Sequence, residues 1–269
     1  MPPYANHRRR FDAIFARIAE SETLSAIWRD VYREDYPRDA TPFSFVTIPE
    51  LRWLATALNL DEGRSLVDLA CGRGGPGLWV AKATGAALIG IDSSVVAIEA
   101  ATTTAQRASV PAAFVLADAA ATGLRAESVD AVMSIDALQL MPRRTAVLDE
   151  VGRVLRPEGR FAFTTWLSRG GNGAPPFPVD YQPLLTAAGF VVEACHEPTD
   201  WQDRDLAVCA GIRENVARLR AELGEDVASM LLAEAEKMPD AYPLIKRVNV
   251  LAMKTRIDVW GSREPAGSL

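Results

Sequence analysis

Cysteine and histidine are both scarce, and each scarcity removes a class of chemistry. The three cysteines, Cys71, Cys195 and Cys209, include no CxxC pair, so neither a disulfide framework nor a cysteine zinc site is expected, and a reducing compartment is. Two histidines, His7 and His196, are too few for a His-based cage, so no metal is expected. No uninterrupted apolar run reaches the roughly 20 residues that span a bilayer, and the opening MPPYANHRRRFDAIF carries charge but no apolar signal core. A cytoplasmic chain with no membrane partner is the expectation. Positive charge is in deficit as well: 29 Lys and Arg stand against 35 Asp and Glu, a net charge of -6, which a phosphate backbone would repel, so no nucleic-acid partner is expected. The basic run Arg8, Arg9, Arg10 is short and near the start of the chain, and reads as a solvated face.

What is present is apolar material for a large core, 49% of 269 residues, enough for one large domain or a domain with a cap. The capped arrangement is expected: a helical cap or lid over 1–62, a core over 63–255 and a flexible tail over 256–269. Phe11, Ile14, Phe15 and Ile18 recur at helical spacing, as do Leu24, Ile27, Trp28 and Val31. Thr47-x-x-Glu50 is a capping-box signature, with Pro49 in the first turn of a helix that runs through Leu58. From Ser65 the period changes to short β-rich runs alternating with helices, the pattern of βαβ units on a parallel sheet. Strands are read near 65–70, 87–91, 112–117, 129–135, 160–166, 190–196 and 247–253. Helices are read near 75–84, 94–108, 143–155 and 180–188, with about two further segments over 203–237. The loop SRGGNGAPPFPVD is either a plain crossover or the rim of a pocket.

The first strand runs into Gly72-x-Gly74-x-x-Gly77, a spacing that also serves dinucleotides. The carboxylates around it argue for a different ligand. Asp68, Asp92, Asp118 and Asp136 each end or follow one of the first four strands, and in an open α/β sheet ligands bind at those strand ends. A pyrophosphate among them would lose on the order of 1 kcal/mol or more to each nearby carboxylate. Pro76 also removes one N–H from the turn. A nucleoside without phosphates suits the crevice better, and S-adenosylmethionine (SAM) gives each acid a task. Asp92 would accept from the ribose hydroxyls, Asp118 from the adenine amino group, and Asp68 would face the ammonium. Their structural alternatives are a turn cap for Asp68 and a helix N-cap for Asp92.

Five stretches in order, VDLACGRGG, IGIDSS, LADAA, SVDAVMSIDALQL and LDEVGRVLRPEGRFAFTTW, make the segment 64–166 similar to small-molecule class I SAM-dependent methyltransferases. The resemblance implies an α/β, Rossmann-like, doubly wound sheet of seven strands plus an N-terminal helical cap. The last strand, KRVNVLAMK, would run antiparallel between its neighbours. It further implies cofactor contacts at Asp68, Ala70, Gly72, Gly74, Asp92, Ser93, Asp118, Ala119 and Ile135. One departure stands out: Ala70 occupies the first glycine place of the family's D-x-G-x-G-x-G motif.

The acceptor side is less defined. Asp136 is a candidate general base, with a cofactor contact or a helix cap as alternatives. Trp28, Tyr32, Tyr36, Phe43, Phe45, Gln139, Trp166 and Trp201 are candidates for an acceptor pocket under the cap, and ordinary core is the competing reading. His196 is a base or a structural histidine, and Cys71 a small packing residue. The expected activity is methyl transfer to O, N or C of a small hydrophobic or aromatic metabolite. The alternatives are a nicotinamide-dependent oxidoreductase and a SAM-binding protein that does not methylate, acting as a regulator or a catalyst of ring closure. A homodimer is left open.

Overall fold

The computed structural model describes residues 3–40 and 43–256; the expected tail falls almost entirely outside them. Seven strands form one sheet in the order β3-β2-β1-β4-β5-β7-β6: β1 (Ser65–Leu69), β2 (Ala87–Asp92), β3 (Ala112–Leu116), β4 (Val129–Ser134), β5 (Leu155–Ser168), β6 (Phe190–His196) and β7 (Ile245–Lys254). Strands β1 to β5 pair in parallel, while β7 runs antiparallel to both β5 and β6. Strands β2 and β4 flank β1 on opposite sides, so the strand order reverses beside it and the crevice lies at the carboxyl ends there.

Alternation along the strands splits the core in two. Val67, Leu69, Ile91 and Val132 point to one face and pack with Val147, Leu148, Val151 and Val154 of α6 (Arg144–Val154) and Leu185 of α7 (Gln182–Ala187). Leu66, Leu88, Ala131 and Met133 point to the other. They meet α3 (Ile48–Ala57), α4 (Gly75–Thr84) and α5 (Val95–Ala108) through Leu51, Leu54, Leu78, Val80 and Ala105. The Thr47–Glu50 capping box forms with both of its reciprocal bonds. Gly90 lies where a Cβ would collide with the Phe114 ring.

A helical layer covers the carboxyl edge, and both ends of the chain build it. Helices α1 (Pro3–Arg17) and α2 (Glu22–Tyr32) bury Ile14, Ile27 and Trp28 against Val208, Ile212, Leu219 and Leu231 of α8 (Trp201–Glu214), α9 (Val216–Leu223) and α10 (Glu225–Ala241). The stretch expected as about two helical segments holds three helices, with breaks at Asn215 and Gly224, the latter at φ 80°. Strand β5 begins at Leu155, directly after α6, although the sequence reads as helix to 155 and as strand only from 160, with Pro157 and Gly159 between. Its pairing with β4 shifts register at that start, and Glu158 takes a φ of 66°. The proline and glycine therefore fall in an irregular strand entry rather than a loop.

Candidate active site

Four strand ends and one glycine loop bound a cavity of about 320 Å³. Asp68, Ala70, Gly72, Asp92, Ser93, Asp118, Ala119, Ile135, Asp136 and Phe43 line it. Gly74 does not. It sits behind the wall at φ 81°, where a Cβ would press on Ala101 and Phe114. Ala70 and Gly72 also lie in the left-handed region, at φ 58° and 52°, so the family's first glycine place requires a conformation that alanine adopts at a cost.

Asp68 is 2% exposed. Its carboxylate accepts from the Gly77 N–H, and a Cβ at Gly77 would come within 2.5 Å of Oδ2, so that glycine makes room for the acid. Burial, and then the charge of Asp92, push the Asp68 carboxyl up to about 7. Asp92 ties β2 to the loop: Oδ2 accepts from Gly72 N–H and Oδ1 from Ser94 N–H, both at 2.9 Å. Burial still raises it above the ordinary carboxylate range despite those bonds. These two acids, one buried and one half-buried, resist ionisation on their own and would ionise more readily beside a cation. Asp118, more exposed, accepts from Ala120 N–H at 2.8 Å and pairs with Arg143 at 2.7 Å.

The roof is aromatic. Phe11 and Phe15 of α1 stack at 5.7 Å, and Phe15 meets Phe43 edge-on at 6.4 Å; all three face the cavity. The Ser94 hydroxyl donates to Asp12 at 2.5 Å, which holds α1 onto the start of α5. Phe11, Phe15, Arg73 and Arg143 were not among the expected site residues. Both phenylalanines belong to a legible apolar stripe, but periodicity does not tell a face on core from a face on a cavity.

The acceptor-side candidates fall in varied surroundings, most of them off the cavity wall. The Asp136 carboxylate, at a residue with φ 47°, accepts four bonds: Oδ1 from Thr164 Oγ1 at 2.8 Å and Arg247 Nε at 3.0 Å, and Oδ2 from Phe45 N–H at 2.9 Å and Arg247 Nη2 at 3.2 Å. A carboxylate so occupied anchors structure and is poorly placed to take a proton. Gln139 donates to the Asp136 carbonyl and accepts from Thr165, buried away from the cavity. Trp166 and Trp201 pack with Tyr242 and Ile245 in an aromatic box that Phe45 joins. Tyr32 is buried with Arg204 over its ring. Trp28 and Tyr36 join Phe43 around a smaller hollow next to the cavity. His196 stacks edge-on against Trp53 and contacts Asn249, outside the cavity wall. Burial raises the Cys71 thiol well above its usual value, as suits a packing residue. The loop after β5 contributes nothing to the cavity wall and acts as a crossover. Among the described residues, no group of three or more His, Cys, Asp or Glu is placed to hold a metal.

Comparisons with known proteins agree with this geometry. A family model described as a methyltransferase domain matches residues 67–163. Methyltransferase GfsG of Streptomyces halstedii is 29% identical over 180 residues, covering 63% of this chain and 65% of its own. The 27-O-demethylrifamycin SV methyltransferase of Amycolatopsis mediterranei is 36% identical over 116 residues, 42% of this chain and 43% of its own. The match therefore spans less than two thirds of either relative. In fold, the chain resembles the [4+2]-cyclase SpnF, with a TM-score of 0.69 at 22% identity over 77% of this chain and 80% of that one. Motifs, strand order and family model agree: residues 67–163 are similar to a methyltransferase domain, and the chain has a Rossmann-like seven-stranded fold with its last strand antiparallel.

Proposed function

We propose that this protein is a SAM-dependent methyltransferase that moves a methyl group to O, N or C of a small hydrophobic or aromatic acceptor. The observation that carries the reading is the pair of acids, buried Asp68 and half-buried Asp92, in the wall of a 320 Å³ cavity with a phenylalanine roof. A cationic nucleoside answers their charge, whereas the diphosphate of a nicotinamide cofactor would be opposed by it. SAM supplies a methyl group on an already activated sulfonium. Asp68 would hold the ammonium, Asp92 the ribose hydroxyls and Asp118, steadied by Arg143, the adenine amino group. Ala70, Gly72, Ser93, Ala119 and Ile135 would complete the cradle. Phe11, Phe15 and Phe43 would exclude water and hold the acceptor against the methyl carbon, and alignment of this kind can supply about 7 kcal/mol or more of a barrier. No general base is needed in this reading. In it the segment 1–62 serves as a cap over the core 63–255.

The names of GfsG and the rifamycin methyltransferase favour a specialised metabolite as acceptor, and the cysteine pattern favours the cytoplasm. Among the described residues, no helix is long and apolar enough to cross a membrane. The direct test incubates the purified chain with methyl-labelled SAM and a metabolite panel. Label in a small-molecule product is expected. Tight SAM binding with no label passed to any acceptor would favour the non-methylating reading instead.

A further inference from the structure

A second hollow of about 110 Å³ adjoins the main cavity, and the two share Phe43 and Arg73. Leu24, Ser25, Trp28 and Tyr36 complete much of its wall. Two of its donors lack acceptors. Trp28 is 7% exposed, and its buried indole N–H has no partner among the described residues; the buried Nε of Arg73 has none either. No carboxylate among the described residues offsets the half-buried Arg73 guanidinium, whose neighbouring titratable group is Tyr36. Arg29 and Arg38 add positive potential at that same tyrosine. An unmet buried donor is destabilising, and a poorly hydrated cation more so. In a chain with a net charge of -6, such a cationic hollow is unusual.

The geometry points to an oxyanion subsite, in which Arg73 and Trp28 bind a carboxylate whose carrier occupies the main cavity. The inference rests on the proposed cofactor reading for the identity of that carrier. Arg73 stands between Gly72 and Gly74, so its backbone belongs to the nucleoside cradle while its side chain also lines the hollow. The volume matches about four waters at roughly 30 Å³ each, room for a carboxylate with its first carbons. An arginine fork suits two coplanar oxygens. The carboxylate has two possible carriers, the amino-acid tail of the nucleoside or the acceptor molecule.

Calorimetric titration of the full chain separates them. The ligands are S-adenosylhomocysteine, 5′-methylthioadenosine, which keeps base, ribose and sulfur but has no carboxylate, and benzoate, titrated onto both the free and the methylthioadenosine-saturated chain. Arg73→Gln is expected to weaken at least one carboxylate ligand about tenfold, and Trp28→Phe to weaken the same ligand about fivefold, as loss of charge-assisted and neutral bonds would. Methylthioadenosine, the check that each variant is folded, should stay within about twofold, since it reaches neither donor. A loss confined to S-adenosylhomocysteine assigns the carboxylate to the nucleoside tail; a loss confined to benzoate assigns it to the acceptor. Wild-type affinities retained for both carboxylates in both variants overturn the subsite, as does a wild-type chain that binds methylthioadenosine but neither carboxylate. If neither nucleoside binds the wild type, the cofactor reading falls, and benzoate on the free chain still decides the subsite.

Discussion

Asp68 is the side chain on whose protonation the proposed cofactor reading turns. Its folded value near 7 lies above the ordinary carboxylate range because burial, then Asp92, disfavour ionisation. A raised acid contributes stability that is complete below the unfolded value and is lost as pH rises through about 7. Asp68→Asn should therefore stabilise the ligand-free chain at pH 8 by on the order of a few kcal/mol, read from urea midpoints. The same substitution should make it little more stable near pH 4. A ligand ammonium reverses the preference, so binding expels the proton. The Kd for S-adenosylhomocysteine should fall about tenfold per pH unit from 5.5 to 6.5, a slope that Asp68→Asn should flatten. A flat wild-type profile would remove Asp68 from the cofactor site. Asp205 makes a contrast within the helical layer: it is 1% exposed, neither carboxylate oxygen has a partner among the described residues, and burial raises it well above the usual range. Asp205→Asn should stabilise at pH 8 by at least about 1 kcal/mol, because the wild-type group forgoes an ionisation available when unfolded. A midpoint that falls instead would show that Asp205 is held as an anion by nearby Arg247.

The elements were legible wherever a period was long enough to count. Helix α4 covers the span read from the sequence, and α3 and α5 fall within a residue or two of theirs, since capping signals and apolar stripes are local properties. What escaped was the interaction between elements. Arg247 sits inside the most apolar-looking late strand, fully buried, with Glu50 at the start of α3 and Asp136 after β4 as its ion-pair partners. Nothing in KRVNVLAMK reveals partners that far away in sequence. The triad joins three elements and, through the Phe45 N–H bond to Asp136, holds the segment that carries Phe43 in the roof. Removing one member of a buried ion cluster leaves uncompensated charge at a cost of about 3–5 kcal/mol. Asp136→Asn should lower the denaturation midpoint by about that amount and also loosen nucleoside binding. Loss of methyl transfer with unchanged stability would instead restore Asp136 as a base.

At the scale of the whole molecule, the two halves of the site differ in what brings their residues together. Asp68 lies near the end of β1, Asp92 ends β2 and Asp118 follows β3, all neighbouring parallel strands, and the topology brings such ends together without detailed packing. That these acids meet at one cavity was therefore readable. The roof depends on how α1 and α2 settle on α8 to α10, and that packing decides which aromatics face the cavity. Phe11 and Phe15 do, while Trp166 and Trp201 are consumed by the core. A site roofed by one end of the chain and floored by the sheet couples ligand to global stability, because ligand bound only to the folded state adds RT ln(1 + [L]/Kd). S-adenosylhomocysteine at about 100 times its Kd should add about 2.7 kcal/mol and raise Tm by several degrees, whereas NADPH at equal concentration should leave it unmoved. Phe15→Ala should reduce the nucleoside's increment if the roof closes over the ligand, with the ligand-free Tm measured alongside to separate roof from packing. Equal stabilisation by NADPH would mean that the buried acids do not repel a diphosphate, and the charge argument on which the cofactor assignment stands would fail with it.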